Sequence, residues 1–187
     1  MDASKSHPID PQVYELCLLG RYHWNQRTAS GLAKSAEYYR EAVDRDSTYA
    51  PAYAGLADAY ALMAVYDSVA VQETYAKATA AAHHALELDD TLAEAHAALG
   101  IIALNGLVWR QAGPELRRAL DLNPNYATAH HWFVFYLLFS GRTEEAIAEL
   151  ELARQLDPLS AIINADEGQI LYTANKYPEA RVHSVAQ

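Results

Sequence analysis

Residues 91–124 read TLAEAHAALGIIALNGLVWRQAGPELRRALDLNP, and residues 125–158 read NYATAHHWFVFYLLFSGRTEEAIAELELARQLDP. Laid one under the other, these stretches are two versions of one pattern with an interval of 34 residues. His96, Leu99, Gly100, Ala112, Leu116, Ala119 and Pro124 stand over His130, Phe133, Val134, Ala146, Leu150, Ala153 and Pro158. Turn-forming residues punctuate the frame at Asp90-Thr91, Asn123-Pro124-Asn125 and Asp157-Pro158. Each interval holds two helix-like segments. A unit this small cannot bury its own apolar stripe, so it must stack on its neighbours.

A 34-residue period with this order of bulky, small and proline positions resembles the tetratricopeptide (TPR) repeat. The resemblance implies an all-α fold: a right-handed α-α superhelix, or solenoid, of helix–turn–helix repeats with a concave and a convex face. Followed outwards, the frame predicts repeats at about 13–47, 50–90, 93–124 and 127–158, and a truncated one at 161–187, after a polar leader at 1–10. The second repeat carries about nine extra residues, placed in a turn around 64–73, and the first carries a small insertion near 28–31. The last repeat ends within its second helix. The expectation is that the chain is cut from a longer protein; the alternative is that its open end docks on a second copy.

Local signals fit the frame. Thr91-Leu-Ala-Glu94 reads as a capping box, in which hydroxyl and carboxylate each satisfy a free N–H at a helix start. Thr143-Glu144-Glu145 places a capping hydroxyl and two carboxylates at the positive end of a helix dipole. Gly20, Gly100 and Gly168 fall where paired helices approach closely. Glycine costs about 1 kcal/mol against alanine in a helix, so a packing reason is required. Gly113-Pro114 interrupts the expected second helix of the third repeat and predicts a late start or a kink over 109–114.

Composition narrows the function. The formal charge is −10, from 14 Lys and Arg against 24 Asp and Glu. Nucleic-acid binding needs clustered cations, and here the densest pair, Arg117-Arg118, is flanked by Glu115 and Asp121. No apolar run approaches the roughly 18 residues that span a membrane. The opening residues lack the basic and apolar segments of a signal peptide. The lone Cys17 forms no internal disulfide and suits a reducing compartment. A cytoplasmic setting is expected, with no nucleic acid and no membrane as partner.

Chemistry points the same way. His83-His84 and His130-His131 are adjacent pairs, whose side chains diverge by about 100° on a helix and do not chelate. His96 and His130 occupy equivalent bulky positions, where packing accounts for them. No zinc-protease, nucleophile-elbow or phosphate-loop motif occurs, so no enzyme activity, metal or cofactor is expected. Cys17 has no flanking cation pattern and reads as a half-buried structural thiol. The tyrosines, among them Tyr39, Tyr53, Tyr60, Tyr126 and Tyr136, fall mostly at packing positions.

In TPR proteins the first helices of the repeats line a ligand groove on the concave side. Carried onto this chain, those positions give Arg21, Trp24, Asp58, Ile101, Leu104, Asn105, His131, Phe135, Leu138, Phe139, Gln169 and Tyr172 as candidate partner-binding residues. The middle and far end of this groove are apolar and aromatic, and Arg21 is its cation. Chaperone-binding TPR domains hold a terminal carboxylate with Lys, Arg and Asn. Cys17, Glu94 and Ala98 stand at those places here, so the resemblance implies an apolar or amphipathic protein or peptide segment instead. A packing role for the Phe135 and Phe139 stripe is the competing reading.

A narrower resemblance rests on YELCLLGRYHWNQRT at 14–28, YAPAYAGLADAY at 49–60 and IINAD at 162–166. These look like the TPR regions of bacterial multidomain regulators, in which the repeats accompany winged-helix, kinase or cyclase domains. The function so implied is a protein-interaction scaffold of a bacterial transcriptional or signalling regulator. The alternative is a self-association module that makes a homodimer of the parent through the groove or the open C-terminal end.

Overall fold

Alanine-rich segments of 13 to 18 residues are strong helix formers, and the computed structural model shows them as helices. It describes residues 10–66 and 71–184, with side chains up to Thr173. Among the described residues the helices are α1 (Pro11–Asn25), α2 (Ala29–Arg45), α3 (Ala50–Tyr66), α4 (Val71–Leu88), α5 (Ala93–Asn105), α6 (Trp109–Leu122), α7 (Ala127–Phe139), α8 (Thr143–Leu156) and α9 (Ala161–Ser184). The chain divides into two compact units, Met1–Ala98 and Leu99–Gln187, with the boundary inside α5. The expected leader lies outside the described residues except for Asp10.

In the first unit α1 packs on α2, α2 on α3, and α3 on α4. Small side chains set the spacing. Val13, Ala42 and Ala52 form one buried cluster, and Ala54, Ala85 and Ala95 another. The fully buried face of α3 is almost all alanine and glycine. Tyr39 of α2 fills the space this leaves. Its ring lies against Gly20 of α1 and Gly55 of α3, where an added Cβ would sit 2.7 Å from the ring at Gly20 and would overlap it at Gly55.

The insertion in the second repeat is largely helix. α3 has 17 residues and α4 has 18, against 13 or 14 in each of α5 to α8. The extra residues extend both helices through most of the segment expected to be a turn. Residues 67–70 of that expectation lie outside the described residues.

In the second unit α6 packs on α7, α7 on α8, and α8 on α9. Gly100 meets Leu116, where a Cβ would stand 2.5 Å from Cγ. Gly113 lies against the Tyr136 ring, so its lack of a side chain serves close packing of α6 on α7. α6 begins at Trp109, 34 residues before α8 begins at Thr143, so its start is not late. Pro114 is held inside the helix. The carbonyl that lacks its N–H is that of Arg110, an exposed residue within reach of water.

Three local expectations are corrected. Thr91 does not cap α5: its N–H and hydroxyl both donate to Asp89 Oδ1, at 3.0 and 2.7 Å, and the helix starts two residues on. Asp46 with Thr48, and Asn123 with Asn125, form the same turn. Thr143 is the first residue of α8 rather than its cap, and its hydroxyl makes no capping bond. Gly168 has nothing within 4 Å of where its Cβ would be, and α9 runs unbroken to Ser184 where a turn was expected.

The short turns within pairs share a second device. After α5 the N–H of Val108 donates to Ala103 and that of Leu107 to Leu104. After α7 Arg142 donates to Leu137 and Gly141 to Leu138. This is the Schellman closure, whose pivot residue takes a left-handed backbone. Gly141 adopts it at φ 72°, as expected of glycine. Leu107 adopts it at φ 59°, and Arg27 ends α1 at φ 50°.

Candidate functional site

The sequence-derived site residues fall in both units. In the first, Arg21 stands one turn before Trp24 on α1 and reaches Asp58 on α3, its guanidinium donating to Asp58 Oδ2 at 3.3 Å. Asp58 is fully buried, and its Oδ1 accepts no hydrogen bond among the described residues. Burial pushes its carboxyl up to about 6. The nearby Arg21 and Arg27 pull it down, and Glu94 pushes it further up. The Arg21 and Arg27 guanidiniums lie 4.6 and 3.5 Å from the centre of the Trp24 ring.

Trp24 is therefore no exposed anchor. It is 2% exposed and forms a buried platform for two cations. Arg27 was missed by the groove projection because it lies past the end of α1, where a left-handed turn at φ 50° folds its side chain back over the Trp24 ring. Beside this cluster opens a cavity of about 260 Å3 lined by Cys17, Arg21, Tyr39, Ala54, Leu92 and Glu94. Burial raises the Cys17 thiol to about 11, partly countered by Arg21, which keeps it protonated and unreactive at neutral pH. Burial likewise lifts the Tyr39 phenol to about 12.

In the second unit α7 is apolar around its whole circumference, ATAHHWFVFYLLF, as suits a helix covered on several sides. Its last turn escapes that cover. Phe139 is 64% exposed, Phe135 is half-buried and Leu138 is buried. Together with Asp166, Gln169, Ile170 and Thr173 of α9 they line a second open cavity of about 260 Å3. Trp109 of α6 meets Phe139 edge-on at 5.2 Å between ring centres. The turn before Trp109 exposes Leu107 and Val108.

His131 braces this cavity from behind. It is 3% exposed, its Nε2 lies 3.0 Å from Asp166 Oδ2, and its ring meets that of Phe135 in a T-shaped contact with 5.3 Å between ring centres. The neighbouring His130 is held differently. Nδ1 faces Glu149 Oε2, and Nε2 faces the Pro124 carbonyl at 2.9 Å. Both partners are acceptors, so the imidazolium form alone satisfies both. Burial opposes that charge, but Glu149 and the Pro124 carbonyl outweigh it and the pKa is raised. Packing was the sequence reading of His130; an ion pair is what the side chain makes.

Four projected residues thus converge: Phe135, Leu138, Phe139 and Gln169. His131 supports them, and Tyr172 is exposed on α9 without lining the cavity. Ile101 and Leu104 are buried, at 6% and 5% exposure, and belong to the core rather than to a presented surface. Asn105 is exposed at the end of α5. Asp166 and Ile170 were missed. Asp166 lies three residues before Gln169, on the same face of α9, and this spacing was the available signal.

No protein-family model and no curated protein matches the sequence. Solved structures do. A thermophilic TPR protein from Thermus thermophilus superposes with a TM-score of 0.69 at 19% identity, over 87% of this chain and 82% of its own. A MamA protein from Desulfovibrio magneticus gives a TM-score of 0.52 at 14% identity, over 94% and 98%. At these identities the likeness is one of fold: the chain has the all-α helical-repeat fold of TPR solenoids. No helix among the described residues is long and apolar enough to cross a membrane.

Proposed function

We propose that this chain is a protein-interaction module that holds an apolar or amphipathic segment of a partner in the cavity between α7 and α9. The observation that carries this reading is the last turn of α7. A phenylalanine 64% exposed stands at the mouth of a preformed apolar cavity, with a tryptophan edge-on against it. Large aromatic rings set in concave apolar sites carry most of the energy of protein recognition. The sequence resemblance to bacterial regulators adds the setting: a cytoplasmic scaffold within a transcriptional or signalling protein, binding protein rather than nucleic acid.

Peptides selected by display on the wild-type chain, then titrated by calorimetry, test the reading. Phe135→Ala with Phe139→Ala should abolish their binding while ellipticity at 222 nm stays at the wild-type value. Equal binding by the double variant refutes the site. A loss of helicity shows that the rings belong to the core. Sedimentation over a range of concentrations distinguishes the homodimer alternative. A mass that rises with concentration in the wild type and not in the double variant would show a second copy as the occupant.

A further inference from the structure

The α7–α9 cavity has two unlike walls. α7 contributes Phe135, Leu138 and Phe139, whereas α9 turns the polar Asp166, Gln169 and Thr173, with one apolar residue, Ile170, toward the same space. Asp166 is the one charged residue lining it among the described residues. Its carboxylate is fixed rather than loose, because the almost fully buried His131 holds Oδ2 at 3.0 Å. Oδ1 accepts no hydrogen bond from a described residue, and the side chain is 31% exposed. A positioned carboxylate with an unengaged oxygen, at the edge of an apolar cavity, is an acceptor for a cationic donor.

Resting on the function proposed above, we propose that the occupant is a basic amphipathic segment, whose large apolar side chain enters between Phe135 and Phe139 and whose lysine or arginine pairs with Asp166. The chain's formal charge of −10 favours the same partner, since it draws in cationic segments and repels acidic ones. Gln169, one turn further along α9, adds an amide that bonds the partner's backbone or side chain.

Two synthetic helical peptides serve as probes. Both carry leucine and phenylalanine on one face; the other face is lysine in one and glutamate in the other. Fluorescence anisotropy is read on the wild type, Asp166→Asn and Phe139→Ala. The lysine probe should bind the wild type at least tenfold more tightly than the glutamate probe. Asp166→Asn should weaken the lysine probe about tenfold and leave the glutamate probe unchanged or slightly tighter, since a hydrogen bond to a charged group is lost. Added salt should narrow the gap between probes.

Equal binding of both probes by the wild type overturns the charge selectivity while leaving the apolar site intact. Asp166→Asn weakening both probes alike also overturns it, because the carboxylate would then act through the shape of the cavity. Phe139→Ala leaving both affinities unchanged sinks the site itself and this inference with it. So does a wild type that binds neither peptide.

Discussion

The replacement Asp58→Asn isolates the energy held in the buried carboxylate of the first unit. Asparagine keeps the shape and removes the titration. In the folded chain Asp58 is buried completely and its carboxyl is raised from 3.8 to about 6, chiefly by burial. A raised carboxyl pKa means that the folded state binds the proton more tightly than the unfolded state. Stability from this group is therefore greatest below about pH 4 and falls as pH rises to about 6, where it levels off. A span of about two pH units at about 1.4 kcal/mol each gives a loss of about 3 kcal/mol, to order of magnitude. Arg21 offsets part of the cost of the charge, but its side chain is 33% exposed and shares its attraction with water. The assay is urea unfolding followed at 222 nm, at roughly pH 3.5, 5 and 7.5, for wild type and variant. Their difference in unfolding free energy should shift by about 3 kcal/mol in favour of the variant between the lowest and highest pH. A difference that stays flat with pH, or moves the other way, refutes the claim that burial dominates at Asp58.

Other outcomes follow from the same geometry. His130 contributes stability fully present below its unfolded pKa near 6.5 and lost as pH rises through its raised folded value, so the wild-type melting temperature should fall between pH 6 and pH 9 more than that of His130→Asn. Gly55→Ala drives a methyl into the Tyr39 ring, which Gly20 blocks from behind; it should cost about 1–3 kcal/mol in urea unfolding, and a cost below about 0.5 would show that the ring moves freely. Leu107→Gly relieves a left-handed leucine at a place where the turn after α7 uses Gly141, and should raise unfolding free energy by about 1 kcal/mol. Ser35 is buried with a hydroxyl that has no hydrogen-bond partner among the described residues, so Ser35→Ala should be neutral or stabilising by about 1 kcal/mol.

The repeat was legible because it is written in steric terms. A proline or an Asx turn stops a helix wherever it occurs, and a glycine opposite Leu116 is required by the spacing of two helices. In the structure these marks fall just after the ends of α4, α6 and α8. What failed were details decided by competition between neighbours. Thr91 has two possible uses, capping α5 or closing the turn with Asp89, and both can be drawn on the sequence. The carboxylate two residues before it offers a nearer acceptor for both its N–H and its hydroxyl, and the turn wins. The insertion in the second repeat was placed in a turn because turns tolerate length. Yet the inserted stretch is flanked by alanine-rich segments whose propensity carries both helices onward.

The site was half legible, for a reason of its own. Register on a helix tells which residues share a face, but not whether that face meets another helix or water. Ile101, Leu104, Phe135 and Phe139 were all projected onto the groove. The first two are buried, whereas Phe139 sits in the last turn of α7 and stays open. Charged residues escape notice for the converse reason. Asp58 looked like one groove residue among several, yet it is the most deeply buried ionisable group in its unit. Asp166 was not among the projected groove residues, yet a buried imidazole holds it in place. Exposure of an aromatic ring costs stability, and so does the fixing of a carboxylate against a buried histidine. Both occur around one cavity. A concentration of local cost around a single opening is what the proposed binding surface predicts.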